Sequence, residues 1–254
     1  MNKNNLKQAL QSGKTVFGPF LKLTDPAVVE IMGFAGFDFV IIDAEHGPIS
    51  LQSDQNMLRA AESAGITPVV RVTDNEETLI LRALDIGAQG VEIPQINTKS
   101  DALKAVTAVK YSPQGKRGLC RYVRAADYSS MDRYEYFKAA NQETMIIAHI
   151  EGVEGINNLE EILSVPGIDV IFIGPYDLSQ SLGIPGQVNH QLVIQKMEEV
   201  IKMCQKNNKA VGTFADDVKT AKKWVSLGVQ YLSFSVDIGI LYETSKQIVE
   251  KLKE

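Results

Sequence analysis

Two cysteines, Cys120 and Cys204, are all that the 254 residues hold, and neither a C-x-x-C spacing nor a zinc-ligand pattern surrounds them. A disulfide framework and a structural zinc site are excluded, and a reducing compartment, the cytoplasm, is expected. No stretch reaches the roughly 18 uninterrupted apolar residues of a membrane span, and residues 1–14 are polar, without the apolar core of a signal peptide. Basic residues never gather: Lys99, Lys104, Lys110 and Lys116 stand among neutral neighbours, and the net charge is −5. Nucleic acid is therefore not an expected partner. Nine prolines and 19 glycines are too few for a collagen-like or low-complexity chain, whereas 44% hydrophobic and 22% charged residues suit a folded protein with an ample core.

What the chain does contain is a rhythm. Short runs rich in β-branched residues at 16–20, 39–43, 68–72, 90–94, 145–151, 170–174, 210–214 and 230–235 alternate with amphipathic segments at 50–64, 76–86, 100–110, 154–163, 192–206, 218–227 and 238–252. Strand and helix alternating eight times predict a (β/α)8 barrel, a TIM barrel, over 1–254 as a single domain, with an open doubly wound sheet as the structural alternative. Two longer connections, 111–143 and 176–190, read as functional loops above the strand ends where a barrel keeps its chemistry.

The strand Phe39-Val40-Ile41-Ile42 ends in Asp43-Ala44-Glu45-His46-Gly47-Pro48. A buried strand needs no ionisable groups for its fold, so three at its carboxyl end point to acid–base chemistry, with His46 held by Asp43 or Glu45. Other strand ends add Arg71, a planar fork suited to a carboxylate, and the acids Glu151 and Asp177, which fall on neighbouring strands. Two carboxylates with open positions beside them suit a hard divalent cation. Structural readings stand beside these. The acids could cap the helices that follow them, Arg71 could pair inside the barrel with Glu92 or Asp43, Cys204 fits a helix core, and His190 could cap a helix.

At these residues the chain resembles the HpcH/HpaI aldolase/citrate lyase family, in particular the class II pyruvate aldolases that act on 4-hydroxy-2-oxoheptanedioate and 2-dehydro-3-deoxyglucarate. The likeness runs from Gly36-Phe37-Asp38 through Glu45-His46-Gly47-Pro48, Pro68-Val69-Val70-Arg71, Arg82 to Ala88, Pro113 to Gly118 and Ile150-Glu151 to Ile173-Gly174-Pro175 and Leu178-Ser179. It implies a divalent ion (Mg2+, Mn2+ or Co2+) on Glu151 and Asp177, and pyruvate held among Arg71, Gly174, Pro175, Tyr176 and His149. It also implies His46 and Asp43 as the acid–base pair, an aldehyde as second substrate, and a hexamer, a trimer of dimers, whose last helix is exchanged between subunits. Two positions depart from the family pattern. His149 stands where these aldolases commonly carry Gln, and Leu119-Cys120-Arg121-Tyr122-Val123-Arg124 replaces a run of small residues, so that Arg121, Tyr122 and Arg124 suggest an acidic or differently shaped acceptor. Three alternatives are a Schiff-base aldolase using Lys22, an acyl-CoA lyase of the same family, and a non-catalytic barrel that binds pyruvate or metal.

Overall fold

The structure, a computed structural model, describes residues 3–254. After a short helix α1 (Asn5–Gln11), strand β1 (Val16–Leu21) leads to α2 (Pro26–Phe34), β2 (Phe39–Asp43) to α3 (Leu51–Ala64), β3 (Thr67–Arg71) to α4 (Glu77–Asp85), and β4 (Gly90–Ile93) to α5 (Lys99–Val109). A 3-10 turn (Arg124–Ser129) and α6 (Arg133–Glu143) precede β5 (Met145–His149), which is followed by the short α7 (Val153–Asn157) and α8 (Leu159–Leu163). Then β6 (Val170–Ile173) leads to α9 (Pro175–Ser181) and α10 (Gln191–Lys206), β7 (Ala210–Ala215) to α11 (Val218–Ser226), and β8 (Tyr231–Val236) to α12 (Asp237–Lys253). All eight strands pair in parallel and in chain order, and β8 returns to β1 with Val16 opposite Tyr231, closing a (β/α)8 barrel.

Period-two alternation decides where each strand residue goes. Phe39, Ile41, Val69, Ile147, Phe172 and Tyr231 fill the barrel, while Val40, Ile42, Val70, Val91, Ile146 and Leu232 meet the helices. Both faces are thus apolar, and β2, β3 and β5 are buried at every position. Carried upward, the inner face reaches Asp43, Arg71, Glu92 and His149; Asp43 is the register partner of Arg71, and Arg71 of Glu92. Helix α1 closes the opposite end, its Leu6 and Leu10 joining the interior cluster. Asn4 caps it, accepting from the Lys7 amide and donating to the Gln89 and Glu143 carbonyls.

Of the two long connections, 176–190 follows β6 at the carboxyl end of the strands, where the sequence placed it, and 111–143 does not. Segment 111–143 follows α5 rather than a strand, so within this chain it lies at the amino ends of the strands, away from the expected site. There Arg117 bonds Asp85, Arg124 bonds Glu62 and the Ile86 carbonyl, and Lys110 donates to the Asn141 and Thr144 carbonyls. Tyr111, Ala126, Tyr136 and Ala140 give it a small core of its own. The connection 176–190 opens as helix α9, since Pro175 at its first position has the fixed φ a helix start accepts.

Helix α12 stands off the barrel. Only Asp237 is buried, while Leu241, Tyr242, Ile248, Val249 and Leu252 are exposed. Beside β8 and β1 an apolar groove of about 410 Å³, lined by Phe17, Phe37, Val218, Val225, Leu232 and Phe234, lies open.

Candidate active site

The carboxyl ends of the strands surround a cavity of about 420 Å³ lined by Asp43, His46, Arg71, His149, Glu151, Gly174, Pro175, Tyr176 and Asp177. Nine residues singled out in the sequence therefore meet in one place, each delivered by the end of a strand or the turn after it.

Arg71 is the hub of one side. Its Nε donates to Asp43 Oδ1 at 2.9 Å, one terminal nitrogen lies 2.8 Å from Asp43 Oδ2 and the other 3.0 Å from Glu45 Oε2. The guanidinium also rests over the Phe20 ring at 4.7 Å. Burial would push the Asp43 carboxyl up, but Arg71, the His46 amide and Lys22 outweigh it and hold the group below its ordinary range. Glu45 goes the other way: burial and the nearby charge of Glu151 keep it raised despite Arg71. Lys22 reaches only to 3.7 Å of Asp43.

The expected contact between the His46 imidazole and Asp43 is not present. Asp43 instead accepts the backbone N–H of His46 at 3.1 Å, and the imidazole lies 3.9 Å from Glu45 with 59% of its side chain exposed. Asp43 therefore shapes the turn that carries His46, leaving both ring nitrogens available to a molecule in the cavity.

Glu151 and Asp177 face each other across Gly174. A methyl group placed on that glycine would come within 3.0 Å of Glu151 Oε2 and 3.5 Å of Asp177 Oδ2. Neither acid caps a helix: α7 and α9 have Gly152 and Gly174 at their caps, without a side-chain bond. Glu151 Oε1 accepts the Gln95 amide at 2.9 Å. Burial, and after it the charge of Glu151, raises the Asp177 carboxyl. Two carboxylates brought together over a bare glycine form a hard, anionic oxygen pair of the kind that receives a divalent cation. Among the described residues no cluster of three or more His, Cys, Asp or Glu closes around one point, so water and substrate oxygens would complete such a coordination sphere.

His149 is sealed from solvent, its ring stacked on Phe172. Nε2 lies 3.0 Å from Glu92 Oε2, and Nδ1 lies 3.4 Å from Glu151 Oε2, an ion-pair contact longer than an aligned hydrogen bond. Glu92 in turn accepts the Tyr231 hydroxyl at 2.8 Å. Burial opposes the charged imidazole, yet Glu151 and Glu92 prevail and raise it to about 9. The Nε2–Glu92 contact is the one short enough for a hydrogen bond, while Nδ1 has no hydrogen-bond partner and meets Glu151 only as a nearby charge.

Sequence reasoning had treated Glu92 only as a possible partner of Arg71 and had passed over Tyr231. A glutamate inside Gly90-Val91-Glu92-Ile93 was itself the signal, since a charge in an apolar strand requires a buried partner. Also unforeseen were Phe20, Phe214, Asp216 and Val236, which complete the wall. Tyr176 donates its hydroxyl to Asp216 at 2.8 Å. His190 caps α10 through Nδ1, and Cys204 is buried in the core, as expected.

The family model for HpcH/HpaI aldolase/citrate lyase matches residues 16–243. A hydroxypyruvate/pyruvate aldolase of Roseobacter denitrificans is 34% identical over 252 residues, covering 99% of this chain and 98% of the relative. Among solved structures, an HpcH/HpaI aldolase/citrate lyase family protein from Burkholderia cenocepacia J2315 superposes with a TM-score of 0.95 at 34% identity, covering 99% of this chain and all of that one. Citrate synthase SbnG superposes with a TM-score of 0.89 at 33% identity, covering 98% of this chain and 97% of its own.

Proposed function

Because the chain belongs to the HpcH/HpaI aldolase/citrate lyase family and is a carbon–carbon lyase, we propose that it is a class II, pyruvate-dependent aldolase. Its substrate would be a 4-hydroxy-2-oxo acid, cleaved to pyruvate and an aldehyde or formed from them. The observation that carries this reading is the convergence of Glu151, Asp177, Arg71 and His46 on one cavity.

Cleavage removes the proton of the C4 hydroxyl, breaks the C3–C4 bond and leaves negative charge on the former ketone oxygen. Glu151 and Asp177 would hold the divalent ion (Mg2+, Mn2+ or Co2+), which when bound supplies a Lewis acid for that charge. Arg71, pinned by Asp43 and Glu45, turns the rest of its fork toward the carboxylate of the pyruvyl half, with Gly174, Pro175 and Tyr176 bounding the same pocket. His149 fixes the Glu151 side of that pocket. His46 takes the hydroxyl proton in cleavage and returns it in synthesis, on a turn held in place by Asp43.

The test is pyruvate release from a panel of 4-hydroxy-2-oxo acids by protein stripped with a chelator and then resupplied with Mg2+, Mn2+ or Co2+. Loss on stripping and recovery with metal is the expected result. Undiminished activity after stripping would overturn it in favour of a Schiff base at Lys22. A second reading, condensation of an acyl carbanion with a 2-oxo acid, is favoured by the likeness to citrate synthase SbnG; metal-dependent consumption of oxaloacetate with an acyl-CoA would support it.

We also propose that the protein works in the cytoplasm as a hexamer, a trimer of dimers, in which α12 of one copy covers the open groove of another. Support comes from the match between a helix whose apolar side chains lie in solvent and an apolar groove at the place where a barrel's eighth helix would pack. Among the described residues no helix is long and apolar enough to cross a membrane.

A further inference from the structure

Whether Glu151 and Asp177 can act as a pair depends on where one oxygen points. Glu151 Oε2 is the oxygen that borders Gly174 opposite Asp177 Oδ2. Its companion Oε1 is held by the Gln95 amide at 2.9 Å. Gln95 lies two residues beyond β4 in the left-handed region, at φ 54°, a conformation that a residue with a Cβ keeps only where its surroundings impose it. Oε2 is met from inside the barrel, by His149 Nδ1 at 3.4 Å, and that nitrogen is sealed and has no hydrogen-bond partner. Residues 149 and 151 are two apart, so period-two alternation sets the ring beneath the carboxylate.

Which edge of that ring faces Glu151 is decided deeper in the barrel. Stacking on Phe172, at 4.5 Å and 21°, fixes the plane of the imidazole but is served equally well after a half-turn about Cβ–Cγ. Glu92 breaks the tie: its Oε2 lies 3.0 Å from Nε2, and after a half-turn it would meet a ring carbon instead. Glu92 is immobile in turn, because Oε1 accepts the Tyr231 hydroxyl at 2.8 Å. The Tyr231 ring is stacked on Phe39 at 4.2 Å and stands edge-on to Phe172, and a methyl group on Gly212 would come within 2.8 Å of it. A fully buried chain of side chains from β8, β4 and β5 thus ends at the oxygen of Glu151 that faces Asp177. Strand β4 reaches both oxygens of that carboxylate, one through Gln95 and the other through Glu92 and His149.

Resting on the reading of Glu151 and Asp177 as the pair that holds a divalent cation, we propose that Glu92 and Tyr231 are positioning residues, which act through His149 to keep Glu151 Oε2 aimed at the place the cation would share with Asp177. Neither residue touches substrate, and no bond is made or broken along the chain. The same role accounts for a glutamate and a histidine in two otherwise apolar strands, Gly90-Val91-Glu92-Ile93 and Met145-Ile146-Ile147-Ala148-His149.

The test is Mn2+ binding, followed by the electron paramagnetic resonance signal of the free ion, for the wild type, Tyr231→Phe, His149→Gln and the variant carrying both changes. Tyr231→Phe removes one hydroxyl and keeps the ring packed on Phe39, so the barrel stays folded. It should weaken Mn2+ binding by about tenfold, the lower end of what the outer partners of metal ligands are worth. In the His149→Gln background the same change should add nothing, because the chain is already cut there. Glu92→Gln, which keeps an acceptor toward Nε2, should retain most of the affinity, a rescue that Glu92→Leu does not give. Unchanged or tighter Mn2+ binding in Tyr231→Phe would overturn the proposal. So would an equal loss in both backgrounds, which would make the hydroxyl a matter of barrel packing alone. A wild type that binds no Mn2+ is a different result: it removes the cation reading of Glu151 and Asp177, and the proposal with it.

Discussion

Glu92 and His149 meet at 3.0 Å on adjacent strands inside the barrel, with side chains 0% and 1% exposed. Taking away Glu92 leaves the buried imidazole with only its longer 3.4 Å contact to Glu151, and breaking a buried pair in this way costs about 3–5 kcal/mol, whereas removing His149 as well takes the stranded charge away. Glu92→Leu should therefore lower the thermal midpoint far more than the double variant Glu92→Leu/His149→Leu. Equal losses in thermal unfolding of the two proteins would show that the pair is not coupled.

His46→Gln should reduce kcat for aldol cleavage by about 10²–10⁴-fold, the usual worth of a positioned acid or base. The exposed imidazole supports little structure, so the folded state should be unaffected, and the KM for the oxo acid should move far less than kcat. Steady-state kinetics beside an unfolding curve would decide. A loss confined to KM would make His46 a binding group instead.

Asp54, in the first turns of α3, is 4% exposed, and Oδ1 has no hydrogen-bond partner. Burial pushes its carboxyl up from 3.8 to about 7. The folded chain thus keeps a proton that the unfolded chain releases, and this contribution to stability, complete below about pH 4, is lost as pH rises through about 7. Asp54→Asn should flatten the decline over that window and leave the protein about 1–3 kcal/mol more stable than wild type at about pH 8. Denaturation curves that stay parallel across the range would count against it.

Charges placed on the outer helix should act on assembly rather than on the barrel. With Leu241 60% and Tyr242 63% exposed, Leu241→Asp with Tyr242→Asp removes no buried side chain from its own subunit. Sedimentation should show smaller assemblies, while far-ultraviolet circular dichroism keeps its barrel signature. An unshifted sedimentation profile would mean that α12 does not join subunits.

The strands were legible because an α/β barrel buries both faces of each one, which leaves apolar runs such as Phe39-Val40-Ile41-Ile42 between polar segments. Their bounds shifted by a residue or two at the ends; β3 begins at Thr67 and stops at Arg71. Helix α1 escaped because a short polar segment with Leu6 and Leu10 four apart carries little amphipathic signal. Its reason to be helical is the open end of the barrel that it fills. Segment 111–143 was misplaced by connectivity: its composition resembled a binding loop, but α5 stands between it and β4.

At the site, the placing of Asp43, Arg71 and Glu151 at the mouth of the barrel was readable, because each interrupts or ends an apolar run; the pairing of Arg71 with Asp43 inside the barrel, the structural reading of that arginine, is present as well. The sequence did not disclose how they are shared. His46 was expected to be held by Asp43 or Glu45, but Asp43 is spent on Arg71 and on a backbone amide, because the strand register sets it beside Arg71, and Glu45 comes only to 3.9 Å of the imidazole. Nothing in one-dimensional spacing joins Glu92 to Tyr231, 139 residues away; only closure of β8 onto β1 brings them together.

Asp237 is the first residue of α12, and its carboxylate is also the fastening for the loop that edges the cavity at Lys22 and Leu23. The outermost helix and one edge of the cavity are thus tied by a single side chain: a turn of α12 about its own axis would draw the backbone of Lys22 and Leu23 along with it.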